Sequence, residues 1–216
     1  FQLTGDGELR LQDVIRLARD PSSSVTITES SEGLARLHRT AQYIQDAVAT
    51  GQAHVNDPDL AMRRRHLIYG VTTGFGHNKN KALENLESAK KLQRNLIVSH
   101  AAGVGFNTDP NDLSNYFKPE IVRALLLIRA AMFLQGYSGV RLELVRAQLE
   151  LLNHNIIPLI PVKGSVGSSG DLAPLAHLAL ILIGEGHALV DGEIVTGKEA
   201  LKKAGLKPYD PSYKEG

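Results

Sequence analysis

The sequence predicts a mainly α-helical protein with a few short strands and one hairpin. Apolar residues recur at helical spacing over long segments, among them Ser31 to Ala49, Leu83 to His100 and Pro119 to Gln135. Leu172 to Ile183 is apolar on nearly every face, too short for a membrane span and suited to a helix buried in a core. Strand-like composition is confined to Val25-Thr26-Ile27 and to His187 to Thr196, which straddles Asp191-Gly192.

With 216 residues and 43% hydrophobic content the chain can bury a substantial core, and no repeat or linker divides it. A net charge of +1 with mixed signs argues against a nucleic-acid surface. There is no cysteine, which excludes disulfides and thiol ligands. Nothing resembles a signal peptide or a transmembrane helix, so a cytoplasmic location without a membrane partner is expected.

Taken in order, Leu11 to Ala18 reads as a helix, broken by Pro21 and the serines after it. Ser31 to Ala49 is amphipathic through Leu34, Leu37, Ile44 and Val48, and Gly51 is expected to close it. Met62-Arg63-Arg64-Arg65-His66 is a short basic run, better read as a solvated face or subunit contact than as an anion site. Leu83 to His100 packs through Leu86, Leu92-Gln93 and Leu96-Ile97. Pro119 opens the next helix and Gly136 ends it. Ser138 is expected to cap a helix from Gly139 to Leu152, the two forming an antiparallel pair. Asp191-Gly192 favours a type I′ turn, and Lys198 to Lys203 reads as a short exposed helix.

Gly164-Ser165-Val166-Gly167-Ser168-Ser169-Gly170 has loop composition and turns abruptly into the apolar helix. Asp171 is placed as N-cap, and Pro174 falls in the first turn, where a missing N–H costs little. The helix N-terminus therefore directs unpaired N–H groups and partial positive charge at Ser168-Ser169-Gly170. A phosphate cradle would need Gly-Lys-Ser/Thr, and Asp171 would repel the phosphate. A hydrolase elbow would need Gly-x-Ser-x-Gly, which is absent. Two readings remain. One is a tight turn with serine caps. In the other, the unhindered amide nitrogen of Gly170 bends onto the carbonyl of Ser168 in a compressed loop. Loss of water from that adduct, and of the Ser169 hydroxyl, leaves a methylene conjugated to a five-membered imidazolone, an electrophile made from backbone.

Ile68-Tyr69-Gly70-Val71-Thr72-Thr73-Gly74-Phe75-Gly76 is a glycine-rich loop headed by a tyrosine, which can be structural or can act as acid or base once desolvated. His100, at a helix end, fits a capping or surface role on its own. His154, His177 and His187 lack metal-ligand spacing, and His177 reads as a hydrogen-bonded core histidine.

Gly164 to His177 closely resembles the signature of the ammonia-lyases and aminomutases that use 4-methylideneimidazole-5-one (MIO), the histidase and phenylalanine/tyrosine ammonia-lyase family. The usual form reads Gly-Ser-Val-Gly-Ala-Ser-Gly-Asp-Leu-Ala-Pro-Leu-Ala-His, and this chain differs only at Ser168. Tyr69 to Gly76 resembles the family's Tyr-Gly-Val/Ile-Thr/Asn-Thr-Gly-Phe-Gly, and the Ser99-His100 pair resembles histidases at the substrate-selecting segment. Thr72 departs from the Asn usual in histidases, and tyrosine aminomutases also combine Val-Thr-Thr with Ser-His.

The resemblance implies an aspartase/fumarase-like helical fold, with residues 1–216 as the N-terminal, MIO-bearing portion and a C-terminal helical bundle outside it. It implies an MIO formed autocatalytically from Ser168, Ser169 and Gly170, with no metal and no nucleotide, Tyr69 as catalytic base, and Ser99 and His100 as substrate-binding residues. The substrate would be a small aromatic amino acid, with histidine to urocanate leading. Phenylalanine or tyrosine ammonia-lyase, or a tyrosine 2,3-aminomutase, is the alternative. A homotetramer is implied for the full-length enzyme, and inactivity or near-inactivity for these residues alone. A reading from another class is a non-catalytic helical oligomerisation domain that kept the motif without making the ring.

Overall fold

The computed structural model describes residues 1–7, 9–53, 58–59, 65, 67–83, 85–105, 109–167 and 170–216. Ser168, Ser169 and, apart from Arg65, the basic run at 62–66 lie outside the described residues. Among those described, the order is β1 (Gln2–Leu3), α1 (Leu11–Arg19), β2 (Thr26–Ile27), α2 (Glu32–Ala53), α3 (Leu86–His100), α4 (Pro119–Leu134), α5 (Leu142–Asn153), β3 (Ile157–Pro158), α6 (Leu172–Leu182), β4 (His187–Val190), β5 (Glu193–Thr196) and α7 (Gly197–Lys203).

α4 is the centre. Its Val122, Leu126, Leu127, Ala130 and Leu134 have no solvent exposure, and α1, α2 and α5 pack around it. Burial of each large side chain contributes about 1.5–3 kcal/mol, which makes this helix the main source of core stability. Arg123, only 2% exposed, lies within that apolar surface. Its guanidinium donates to Leu17 O, Ala18 O and Asp20 O at the end of α1, and to Leu152 O and Asn155 Oδ1 at the end of α5. Helix ends leave carbonyls without intrahelical partners, so one buried cation closes two helices at once.

Several helix ends differ from the sequence expectation for identifiable reasons. α2 continues through Gly51 to Ala53; a glycine weakens a helix by about 1 kcal/mol but does not block it. α3 begins at Leu86 instead of Leu83, because Asn85 Oδ1 accepts the Ser88 N–H at 2.8 Å. Leu83 N–H goes instead to Thr72 O at 2.9 Å. α5 begins at Leu142, with Arg141 and not Ser138 at the N-cap position. The Arg141 N–H is met by Glu215 Oε1 at 2.9 Å, so a residue distant in sequence does what a local serine was expected to do.

The strands are short. β1 and β2 pair in parallel, Gln2 with Thr26. β3, β4 and β5 form an antiparallel sheet in which Val190 faces Glu193 across Asp191-Gly192. Both turn residues have positive φ, 52° and 84°, as a type I′ turn requires. α7 follows with a full capping box between Thr196 and Glu199. α6 packs against α3 on one side and α7 on another.

Candidate active site

α6 has an open side. Ala176, Leu178, Ile181 and Leu182 are buried, whereas Leu172 is 50% exposed and Leu175, Ala179 and Ile183 are half-buried. The expectation of a helix buried all round is therefore corrected. Its open apolar flank forms one wall of a cavity of about 760 Å³, completed by α3, α4, the start of α5 and the C-terminal segment.

Tyr69 and His100 line this cavity together with Leu172, in the first turn of α6. Tyr69 is 60% exposed. Its hydroxyl accepts the Gly76 N–H at 3.2 Å, and its ring meets Phe75 edge-on with centroids 5.6 Å apart. The loop closes on itself because residue 70 is glycine: φ is +69°, and a Cβ there would lie 2.4 Å from Phe75 Cε1. Below it, Thr72 and Thr73 are buried, and Gly74 N–H reaches Lys81 O at 3.1 Å. The phenol is thus held at the end of a hydrogen-bonded turn.

His100 closes α3. Its Nδ1 lies 2.8 Å from Leu96 O and 3.2 Å from Ser99 Oγ; a carbonyl oxygen can only accept, so Nδ1 carries a proton. Ser99 is exposed and bonds to Leu96 O at 3.2 Å. It is not part of the cavity wall.

The glycine- and serine-rich stretch precedes α6 in the sequence. Gly170 is exposed, with φ +68°. Asp171 occupies the N-cap position but makes no side-chain cap, and its Oδ1 instead accepts from Ser165 Oγ. The Asp171 side chain therefore caps none of the first N–H groups of α6, a correction to the role expected of it. Gly167 N–H joins the same Ser165 hydroxyl at 3.2 Å. A glycine amide without a Cβ beside it, at the electropositive end of a helix, fits a ring formed from residues 168–170.

A backbone junction joins this stretch to α3. Val104 N–H bonds to Lys163 O at 2.9 Å. A Cβ at Gly164 would lie 3.1 Å from Gly103 Cα, and one at Gly103 would lie 2.6 Å from Pro161 Cγ. From α6, His177 Nε2 accepts the Gly103 N–H at 3.1 Å. Burial pushes the His177 pKa down, which favours the neutral ring that such acceptance needs. His177 is thus a hydrogen-bonded histidine, half-buried rather than fully in the core.

Sequence reasoning missed the polar members of the cavity. Arg129, on α4, stands over the Phe133 ring at 4.7 Å, and burial pushes its pKa down. The signal was a lone charge in an apolar run. Glu215 carried no signal. Its side chain is 1% exposed and takes hydrogen bonds from Arg141 Nη2 (2.8 Å), Tyr209 Oη (2.7 Å) and Ser212 N–H (2.7 Å). The carboxylate raises the Arg141 pKa, while burial, more than the nearby carboxylate, raises that of Tyr209. Next to it, Gly216 N–H bonds to Gln93 Oε1 at 2.8 Å.

Comparison with known proteins agrees with this geometry. The sequence model described as "Aromatic amino acid lyase" matches residues 9–216. Histidine ammonia-lyase of Alkaliphilus metalliredigens is 40% identical over 97% of this chain, which spans 36% of that protein's length. Among solved structures, ergothionase from Treponema denticola, in complex with desmethyl-ergothioneine sulfonic acid, superposes with a TM-score of 0.82 at 33% identity, over 100% of this chain and 38% of its own. Tyrosine aminomutase from Streptomyces globisporus gives 0.74 at 32% identity, over 99% of this chain and 35% of its own. The mostly helical architecture is theirs, and the chain belongs to the aromatic amino acid lyase family.

Proposed function

We propose that residues 1–216 correspond to the N-terminal, ring-bearing portion of a cytoplasmic, homotetrameric ammonia-lyase that converts histidine to urocanate. The observation that carries this is that Tyr69, His100 and the first turn of α6 line one cavity, and that Ser168-Ser169-Gly170 stands one residue before that turn in the sequence. The MIO formed from those three residues supplies an electrophilic methylene that makes the substrate's ammonium a better leaving group. Tyr69 takes the β-proton as its phenolate, having first given up its own proton. His100 lines the cavity with Nδ1 engaged by Leu96 O, so Nε2 is the ring nitrogen it can offer a substrate, in the Nδ1–H tautomer an acceptor suited to the N–H of an imidazole or the hydroxyl of a phenol and giving nothing to a bare phenyl ring. Ser99, off the wall and bonded to its own helix, supports the same turn.

The curated relatives named histidine ammonia-lyase support histidine as substrate. A second reading, tyrosine 2,3-aminomutase, is favoured by the 32% identity to the Streptomyces globisporus enzyme. Ultraviolet assay of the whole protein against histidine, tyrosine and phenylalanine separates them, the expected product being urocanate. Residues 1–216 alone are expected to be inactive or nearly so, since a site loose by a fraction of an ångström loses most of its rate. Intact mass tests the ring: the whole protein is expected two waters lighter than its sequence. An unmodified tripeptide in a protein that still eliminates ammonia would overturn the mechanism.

A further inference from the structure

Two parts of the proposed site reach the same junction by different routes. His100 ends α3 three residues before Gly103, and the reactive tripeptide begins four residues after Gly164. The backbones run side by side, with Val104 N–H bonded to Lys163 O, so closely that a Cβ at Gly164 would lie 3.1 Å from Gly103 Cα, and Pro161 closes a second side of Gly103. On the α6 side the Gly103 N–H points at His177 Nε2. A Cβ at Gly103 would stand 3.0 Å from that nitrogen, so the approach leaves room for the hydrogen bond and little else.

We infer that His177 is a positioning residue: by accepting the Gly103 N–H it fixes the separation between the substrate-selecting end of α3 and the reactive loop. The contact has chemical requirements that a merely space-filling residue lacks. Nε2 must be unprotonated, so the proton resides on Nδ1, and the side chain must reach from the second turn of α6 across to the end of α3. A glutamine can supply an acceptor at similar reach; a leucine of similar bulk cannot. The functional consequence rests on the lyase reading above, whereas the contact itself does not.

The test has two arms. In the 216-residue chain labelled with nitrogen-15, a scalar coupling across the hydrogen bond between Gly103 N and His177 Nε2 is expected, needing no substitution and no activity. Amide exchange at Gly103 is expected to quicken about threefold to tenfold in His177→Leu and to return towards the parent value in His177→Gln, with α4 amides unchanged. In the whole protein, His177→Leu is expected to lower kcat between about tenfold and a hundredfold with KM little moved, and His177→Gln to recover most of the loss. Absence of the coupling, or equal behaviour of the Leu and Gln variants in exchange and turnover, overturns the proposal. If the unsubstituted whole protein releases no ammonia from any aromatic amino acid, the lyase reading fails, and the coupling still decides whether His177 holds Gly103.

Discussion

Replacing Glu215 by glutamine removes one negative charge from a site where it is nearly fully enclosed. The carboxylate receives hydrogen bonds from Arg141 N, Nε and Nη2, Tyr209 Oη and Ser212 N. Every one of these is a donor, so a glutamine must set its own NH₂ against donors at one of its two positions. Arg141 keeps its charge and loses its counter-ion, retaining the Tyr209 hydroxyl, Asp210 O and the one position that the amide oxygen takes. Breaking a buried pair from one side costs about 3–5 kcal/mol. The partial exposure of Arg141, 32%, puts the value at the lower end, about 3 kcal/mol. For a chain of this length each kcal/mol moves the thermal midpoint by about 2–4 °C, so a fall of roughly 6–12 °C is expected. Circular dichroism melting of the 216-residue chain measures it, with Lys214→Ala as an exposed neighbour that should change little. A Glu215→Gln midpoint within about 2 °C of the parent would refute the claim that this network fastens the C-terminal segment to α5.

Arg123→Met keeps bulk and length but abandons carbonyls at the ends of α1 and α5; denaturant titration is expected to show a loss of at least about 3 kcal/mol, with the ends of both helices exchanging amides faster. Tyr69→Phe keeps the edge-on contact with Phe75 and removes the hydroxyl. Steady-state assay of the whole protein should then give ammonia release lower by about 10²–10⁴-fold, with an almost unchanged melting point. His177 ties stability to pH, since burial holds its folded pKa below the unfolded value of 6.5. Below 6.5 the unfolded chain binds the extra proton first, so this contribution is complete above that pH and is lost as pH falls towards the folded value. Denaturation midpoints should therefore drop between about pH 7.5 and about pH 5, and by less in His177→Gln.

The helical plan was legible because it is written in local pattern. Pro119, the apolar repeat after it and Gly136 mark α4 to within two residues, and Asp191-Gly192 fixed the hairpin register. What escaped was decided by partners far along the chain. Arg123 sits in a helix that reads as core, and only the meeting of two helix ends around it explains a charge there. Ser138 had the composition of a cap, but the carboxylate that meets the start of α5 comes from Glu215. Asp171 had the position of a cap, but Ser165 takes its side chain. In the candidate site, Tyr69 and His100 were recognisable through motif, and their common cavity follows from the packing of α3 against α6. Arg129 and Glu215, which line the same cavity, belong to no short-range pattern.

The separation between Ser99-His100 and the Gly103–Gly164 contact has a consequence for how selectivity can be retuned. Both side chains are anchored within their own helical turn, each to Leu96 O, so exchanging them leaves the chain path undisturbed, and exchanging His100 alters what the cavity offers. Three residues on, the backbone is hemmed in by Gly164, Pro161 and His177, and any added carbon forces a shift. On the lyase reading proposed above, variation at 99 and 100 lies directly beside a position that cannot change, and libraries that randomise 99 and 100 while holding 103 and 164 as glycine should yield mostly folded proteins.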